Sequence, residues 1–174
     1  NSFSELTVIT DAEGNNVRFF YDALGRKTRD ESPDRGTWHY TYDSNSNIET
    51  ITDSRNIRTT IEHDELNRPT RKYSPSQEIS YTYDDPVIGT LSSATSNNIT
   101  TTYTYDKRLR TLSETLEVDE EILTTEYSYD SQDKIKNITY PNTESRTYRY
   151  DTGGNLNFLE GILTTITYDS FSLP

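Results

Sequence analysis

Eight carboxylates recur at one point of this sequence, and they are the first candidates for chemistry. They are Asp22, Asp43, Asp64, Asp84, Asp106, Asp130, Asp151 and Asp169. Stacked side by side, they could offer oxygens to calcium, which takes six to eight. Yet Arg26, Arg68, Arg110 and Lys134 each stand four residues after their Asp. Carboxylate–cation pairing or capping of a turn accounts for the row without metal. The residue before each Asp is Tyr21, Tyr42, Tyr83, Tyr105, Tyr129, Tyr150 or Tyr168, with His63 in the remaining slot. Rows of rings could form a stacking platform for sugars or bases, or could simply pack on one another. Trp38, beside Tyr40, is the best candidate for an exposed ring. His39 and His63 are the only histidines. They could meet across repeats as a ligand or base pair, although His63 reads first as a substituted member of the Tyr row. No Ser-His-Asp spacing, paired-glutamate pocket, phosphate loop or zinc signature is present. No catalytic, cofactor-binding or metal-ligating residue nominates itself, and no cofactor is implied.

The spacing of these residues points to an element copied along the chain. The steps between successive slots are 21, 21, 20, 22, 24, 21 and 18 residues. A period of this size marks one supersecondary unit stacked on its neighbours. Most units carry two rings separated by one residue, as in Tyr40-Thr41-Tyr42, Tyr81-Thr82-Tyr83, Tyr103-Thr104-Tyr105 and Tyr148-Arg149-Tyr150. Residues i and i+2 of a strand face the same way, so both rings share a face. Ile61-Glu62-His63 and Ile166-Thr167-Tyr168 keep the alternation, and all these segments are predicted strands.

The Asp ends the strand and opens a turn. Three residues later come Gly25, Ser46, Asn67, Asp133 or Gly154, mostly types that tolerate a left-handed backbone. A type I turn followed by such a residue closes many hairpins. Leu109 holds this slot after Asp106, so that turn must differ or be strained. Return strands are predicted at Lys27–Asp30, Ile48–Thr52, Ile135–Tyr140 and Leu156–Leu159. Second turns follow at Asp11–Asn15, Pro33–Gly36, Asp53–Asn56 and Pro141–Thr143. Two stretches break the rhythm. Asp84–Gly89 with the polar run Ser92–Asn98, and the acidic Glu117–Glu121, are expected to be longer hairpin loops. The fold class is all-β: tandem antiparallel hairpins in a sheet that must curve, because sheets this wide twist and curl.

Composition limits the function. Only 30% of residues are apolar, Tyr is the commonest large one, and the net charge is -12. Low hydrophobicity with high charge is also a mark of disorder, but the periodic rings argue for a fold. Acidic charge argues against nucleic-acid binding. No apolar stretch is long enough for a membrane-spanning helix. There are no cysteines, hence no disulfides or thiolate sites. Asn98-Ile99-Thr100 and Asn137-Ile138-Thr139 fit the glycosylation pattern, as chance allows in a chain rich in Asn and Thr. Neither end resembles a repeat cap. Residues 1–174 are therefore expected to be one segment of about eight repeats from a longer protein.

The unit resembles the YD repeat, also called the RHS repeat, of bacterial polymorphic toxins, insecticidal toxin complexes, wall-associated proteins and teneurins. Phe20-Tyr21-Asp22-Ala23-Leu24-Gly25-Arg26 carries it most fully, and Tyr40–Asp43, Tyr103–Asp106 and Tyr148–Asp151 repeat its first half. The leucine-like position that follows is Ile48, Ile135 and Leu156. Asp85-Pro86-Val87-Ile88-Gly89 departs from the family's core motif of Asp-Pro-x-Gly type by one residue. The resemblance implies a spiralling sheet that forms part of a hollow shell, able to enclose a toxic C-terminal domain. It implies a secreted or cell-surface protein whose partners are the rest of the parent chain and an enclosed toxin. The competing reading is a surface adhesion or sugar-binding segment; an enzyme ranks last.

Overall fold

A computed structural model describes residues 5–168. The chain forms two compact units, Asn1–Tyr81 and Thr82–Pro174. No helix occurs among the described residues. The first unit is a meander of β1 (Val8–Thr10), β2 (Asn16–Tyr21), β3 (Lys27–Ser32), β4 (Gly36–Tyr42), β5 (Ile48–Thr52), β6 (Arg58–His63), β7 (Pro69–Ser74) and β8 (Gln77–Tyr83). Each strand pairs antiparallel with the next. The second unit repeats the plan with β9 (Leu91–Ser96), β10 (Ile99–Tyr105), β11 (Thr111–Val118), β12 (Glu121–Tyr129), β13 (Ile135–Thr139), β14 (Ser145–Tyr150) and β15 (Leu156–Leu159).

A slip in register recurs at one place in the repeat. It falls between Phe20/Tyr21, Thr41/Tyr42, Glu62/His63, Thr104/Tyr105, Ser128/Tyr129 and Arg149/Tyr150. The turn imposes it. A type I turn followed by one left-handed residue adds a residue to one strand and leaves a bulge beside the loop. Gly25, Ser46, Asn67, Leu109, Asp133 and Gly154 have φ of 77°, 70°, 63°, 63°, 66° and 84°. Leu109 therefore makes the same turn as the others and carries strain, since leucine lacks glycine's freedom there. Three second turns use the same closure, with Gly14, Asn56 and Thr143 at positive φ.

Neither expected long loop at the irregular stretches holds as drawn. Most of the polar run Ser92–Asn98 is strand β9, and only Asn97 and Asn98 lie in the turn to β10. Ser and Thr serve in a strand when their hydroxyls find partners; Thr95 and Thr100 share a hydrogen bond of 3.3 Å. Glu117–Glu121 is not a loop either. Val118 pairs with Glu121, so only Asp119 and Glu120 turn, and the extra residues lengthen β11 and β12. Asp84–Gly89 is a loop: the Asp84 amide donates to Thr90 O at 3.0 Å, and Gly89 N donates to Asp84 Oδ1 at 2.6 Å. The predicted strand Ile166–Tyr168 is absent. A tight turn at Glu160–Ile162 folds Leu163 back onto Leu159 as an isolated bridge. That uses the pairing groups at the end of β15, and the chain beyond keeps one ladder-like bond, Ile166 N to Asn157 O at 2.9 Å.

There is no apolar core in the ordinary sense. Among the described residues no hydrophobic side chain is buried, whereas Asp30, Thr50 and Thr90 are, Asp30 completely. A single layer of strands leaves each ring half covered by its neighbours. The ring face is the less exposed one: Tyr81, Tyr83, Tyr103 and Tyr105 are half-buried while Thr82 and Thr104 are exposed.

Candidate functional site

The repeated Asp residues are turn caps. Asp22 Oδ1 accepts the amides of Leu24 and Arg26 at 2.9 and 3.0 Å. Asp43 does the same with Asn45 and Asn47, both at 2.9 Å. Asp64 takes Leu66 and Arg68, Asp106 takes Arg108 and Arg110, and Asp130 takes Gln132 and Lys134. Asp151 accepts Asn155 N at 2.9 Å. Asp11 and Asp53, outside the Tyr-Asp series, cap second turns in the same way. Charged acceptors of backbone N–H bonds titrate low. The amide of Arg26, with its guanidinium, holds Asp22 below the usual carboxylate value, and Arg68 does so for Asp64. Side-chain bonds from Asn47 and Arg110 lead the same effect at Asp43 and Asp106. Asp169 lies outside the described residues.

The residue four after the Asp ties one repeat to the next. Arg26 Nε donates to Asp22 Oδ2 at 2.7 Å, a second nitrogen reaches Ser46 Oγ at 3.2 Å, and the guanidinium lies 4.7 Å from the centre of the Tyr42 ring. Arg110 bonds Asp106 at 2.7 Å and Asp133 at 2.6 Å, and covers Tyr129 at 4.5 Å. Asn47 reaches Asn67 Oδ1 at 2.7 Å. Arg68 pairs with Asp64 at 2.7 Å. Lys134 departs from the expected Asp pairing: its ammonium donates to the Gly154 carbonyl and lies 4.9 Å from the Tyr150 ring centre. So the left-handed residue of one turn is also the docking point for the cation or amide of the turn before it.

The tyrosine hydroxyls form a second ladder. Tyr21 donates to Leu6 O, Tyr42 to Lys27 O, Tyr105 to Leu91 O, Tyr129 to Thr111 O, Tyr150 to Ile135 O and Tyr168 to Leu156 O, at 2.7–3.0 Å. Except for Leu6, each acceptor is the first residue of a return strand, in the hairpin preceding the tyrosine. Tyr168 keeps this bond although its segment is not a strand. Tyr83 occupies the equivalent end of β8. Burial pushes the phenols of Tyr42, Tyr105, Tyr129 and Tyr150 up from their ordinary values. The sequence signal for this ladder was the Tyr period, but the acceptor is a backbone carbonyl that no side chain announces.

The two histidines do not meet. Cross-strand register carries Tyr40 to Ile51 and Thr59, which share a face with Ile61 and His63. His39 points to the other side of β4. His63 Nδ1 lies 4.0 Å from Asp43 Oδ2. Trp38 is half-buried rather than exposed; its Nε1 donates to Arg35 O at 3.3 Å. It is the cross-strand partner of Asp30, the most enclosed side chain among the described residues and one the sequence pattern did not single out. Lys27 Nζ, Arg35 and the Tyr40 hydroxyl contact the Asp30 carboxylate at 2.8, 2.6 and 2.8 Å. Burial raises its proton affinity, but the bonds from Lys27 and Tyr40 and the charges of Lys27 and Arg35 outweigh it and leave it below the usual carboxylate value. Equivalent slots hold Ile51 and Ile138, so the clue was an Asp where the pattern has isoleucine. Among the described residues no cluster of three or more His, Asp or Glu could hold a metal ion.

The teneurin YD-shell family matches residues 60–160. This chain belongs to the YD-shell family. Among solved structures it is similar to the crystal structure of TcdB2-TccC3-Cdc42, at 15% identity and TM-score 0.73, covering 92% of this chain and 10% of that one. For TcdB2-TccC3-TEV the values are 19%, 0.68, 88% and 10%. For the Photorhabdus luminescens Tc holotoxin pore they are 16%, 0.64, 97% and 12%. At these identities the likeness is one of fold, and the chain spans about a tenth of those chains. No curated protein matches it.

Proposed function

We propose that residues 1–174 are a non-catalytic wall segment of a longer YD-shell protein, secreted or held at a cell surface, whose shell encloses a C-terminal toxin domain. The carrying observation is where the polar chemistry goes. Asp caps are consumed in closing each turn, and Arg and Asn bridges and Tyr hydroxyls in joining one repeat to the next. What remains is a wall rather than a site that converges on a substrate. The fold likeness to the Tc holotoxin pore supports a place for the segment in a larger toxin-type assembly. The proposed partners are the remainder of the parent chain and that cargo. The repeat motif at Tyr21, Asp22, Gly25 and Arg26 and its copies is assigned a structural role.

The test is protease protection. The repeats are expressed in the parent protein and the downstream segment is compared with the same segment expressed without them. Resistance that requires the repeats supports enclosure; equal digestion in both overturns it. The adhesion reading predicts saturable sugar binding that is lost on replacing Trp38. The half-buried ring and engaged indole N–H weigh against that outcome.

A further inference from the structure

The third repeat breaks the ring pattern, and the break leaves a hollow. Where the fourth, fifth and sixth repeats have Tyr81/Tyr83, Tyr103/Tyr105 and Tyr127/Tyr129, the third has Ile61/His63. On the ring face of the first unit a cavity of about 330 Å³ opens over Ile48, Ile61, Pro69 and His63, with Tyr81 and Lys72 also lining it. A smaller one of about 150 Å³ adjoins it, sharing Lys72 and lined further by Thr59 and Ile79. Lys72 is the cross-strand partner of Ile61. Its position matches that of Asp30 in the first repeat, which two cations answer. Unlike the buried Asp30, Lys72 is exposed, and among the described residues no carboxylate lies within ion-pair distance of its ammonium. The larger hollow thus has a mostly apolar floor where other repeats carry rings, with Asn47 and the exposed ammonium of Lys72 at its rim, and its size falls in the range of small-molecule sites.

We infer that this hollow is a binding site for a small aromatic carboxylate. The ring of such a ligand takes the space that tyrosines fill in neighbouring repeats, against Ile48, Ile61 and Pro69. Its carboxylate meets Lys72. A carboxylate gains a charge-assisted bond at the exposed Lys72 that an uncharged ring lacks, and an acid without a ring would leave the apolar floor wet. The inference stands apart from the shell reading, since it rests on one repeat and requires no enclosed cargo.

The probe is phenylacetate, titrated into the chain and followed by the NMR signals of Ile61, His63 and Lys72. The expected result is saturable binding with a Kd of about 1 mM or tighter. Benzyl alcohol, which keeps the ring and lacks the charge, should bind about tenfold more weakly, as should phenylacetate to Lys72→Gln. The double variant Ile61→Tyr/His63→Tyr restores the ring pair of the other repeats, so it should fold and lose binding. Its far-UV circular dichroism and melting curve check the fold, and Lys72→Gln probes the site without altering its floor. No saturation with phenylacetate, equal affinity for benzyl alcohol, or unchanged binding in a folded variant would overturn the site.

Discussion

At the scale of the residue, strain and burial mark where this sequence departs from its own repeat. Leu109 and Thr143 hold left-handed backbone at φ of 63° and 66°, where Gly25 and Gly154 meet no such cost. Replacing either by glycine relieves an L-residue penalty of roughly 1 kcal/mol, partly offset by the entropy of the unfolded chain. Leu109→Gly and Thr143→Gly should therefore each raise the denaturation midpoint. The reverse change, Gly25→Val, should destabilise by about 1 kcal/mol or more, since a branched side chain is poorly placed at φ of 77°. Chemical denaturation reads all three, and an unmoved midpoint for Gly25→Val defeats the turn assignment. Asp30 is the other departure. Asp30→Asn keeps the shape but removes the charge that Lys27 and Arg35 face. Both cations are partly exposed, at 33% and 48%, so water screens the loss and the cost is about 1–2 kcal/mol. A midpoint equal to the parent's would show that the buried pairings contribute nothing net.

At the scale of the element, each hairpin is closed by local chemistry and joined to the next by longer-range bonds. The turn needs only its own five residues: an Asp to accept two amides and a residue that turns left. The joint needs a Tyr hydroxyl and a carbonyl 12 to 18 residues earlier. Tyr129→Phe removes the 2.7 Å bond to Thr111 O while keeping the ring under Arg110. The expected cost is about 1 kcal/mol, the net worth of one hydrogen bond. Hydrogen exchange should locate the loss between β11 and β12 rather than in the Asp130 turn. Uniform loss across the second unit would instead make the bond part of one cooperative structure. The turn chemistry was legible because it is written in contiguous residues such as Asp22-Ala23-Leu24-Gly25-Arg26. The pairing of Arg110 with Asp133 was not, because nothing local says which neighbour lies alongside. The lost strand at Ile166–Tyr168 has the same cause: its pattern is right, but Leu163 takes the place beside Leu159.

At the scale of the whole molecule, stability without an apolar core depends on ionised carboxylates. Asp11, Asp22, Asp30, Asp43, Asp53, Asp64, Asp106 and Asp151 all titrate below their ordinary value. A group whose pKa is depressed on folding contributes stability above its unfolded pKa, near 3.9 for Asp, and loses it as pH falls through the folded value. The protein should hold a pH-independent melting temperature from neutrality down to about pH 5 and then lose stability steeply below about pH 4. Thermal melts by circular dichroism across that range check it, and a midpoint unchanged at pH 3 refutes it. The sequence by itself determined the period, the strand type, the ring face and the turn residues. Alternation along a strand and the backbone preference of a turn are local properties, readable from neighbours in the chain. Only the tertiary structure decided that Asp30 is enclosed while Trp38 is half open, and that His39 and His63 face opposite ways. It alone shows which carbonyl each tyrosine reaches, and that Ile61 and His63 leave a hollow beside Lys72. Those outcomes depend on which strand lies next to which and in what register, and register is set jointly by turns and packing rather than by any one segment.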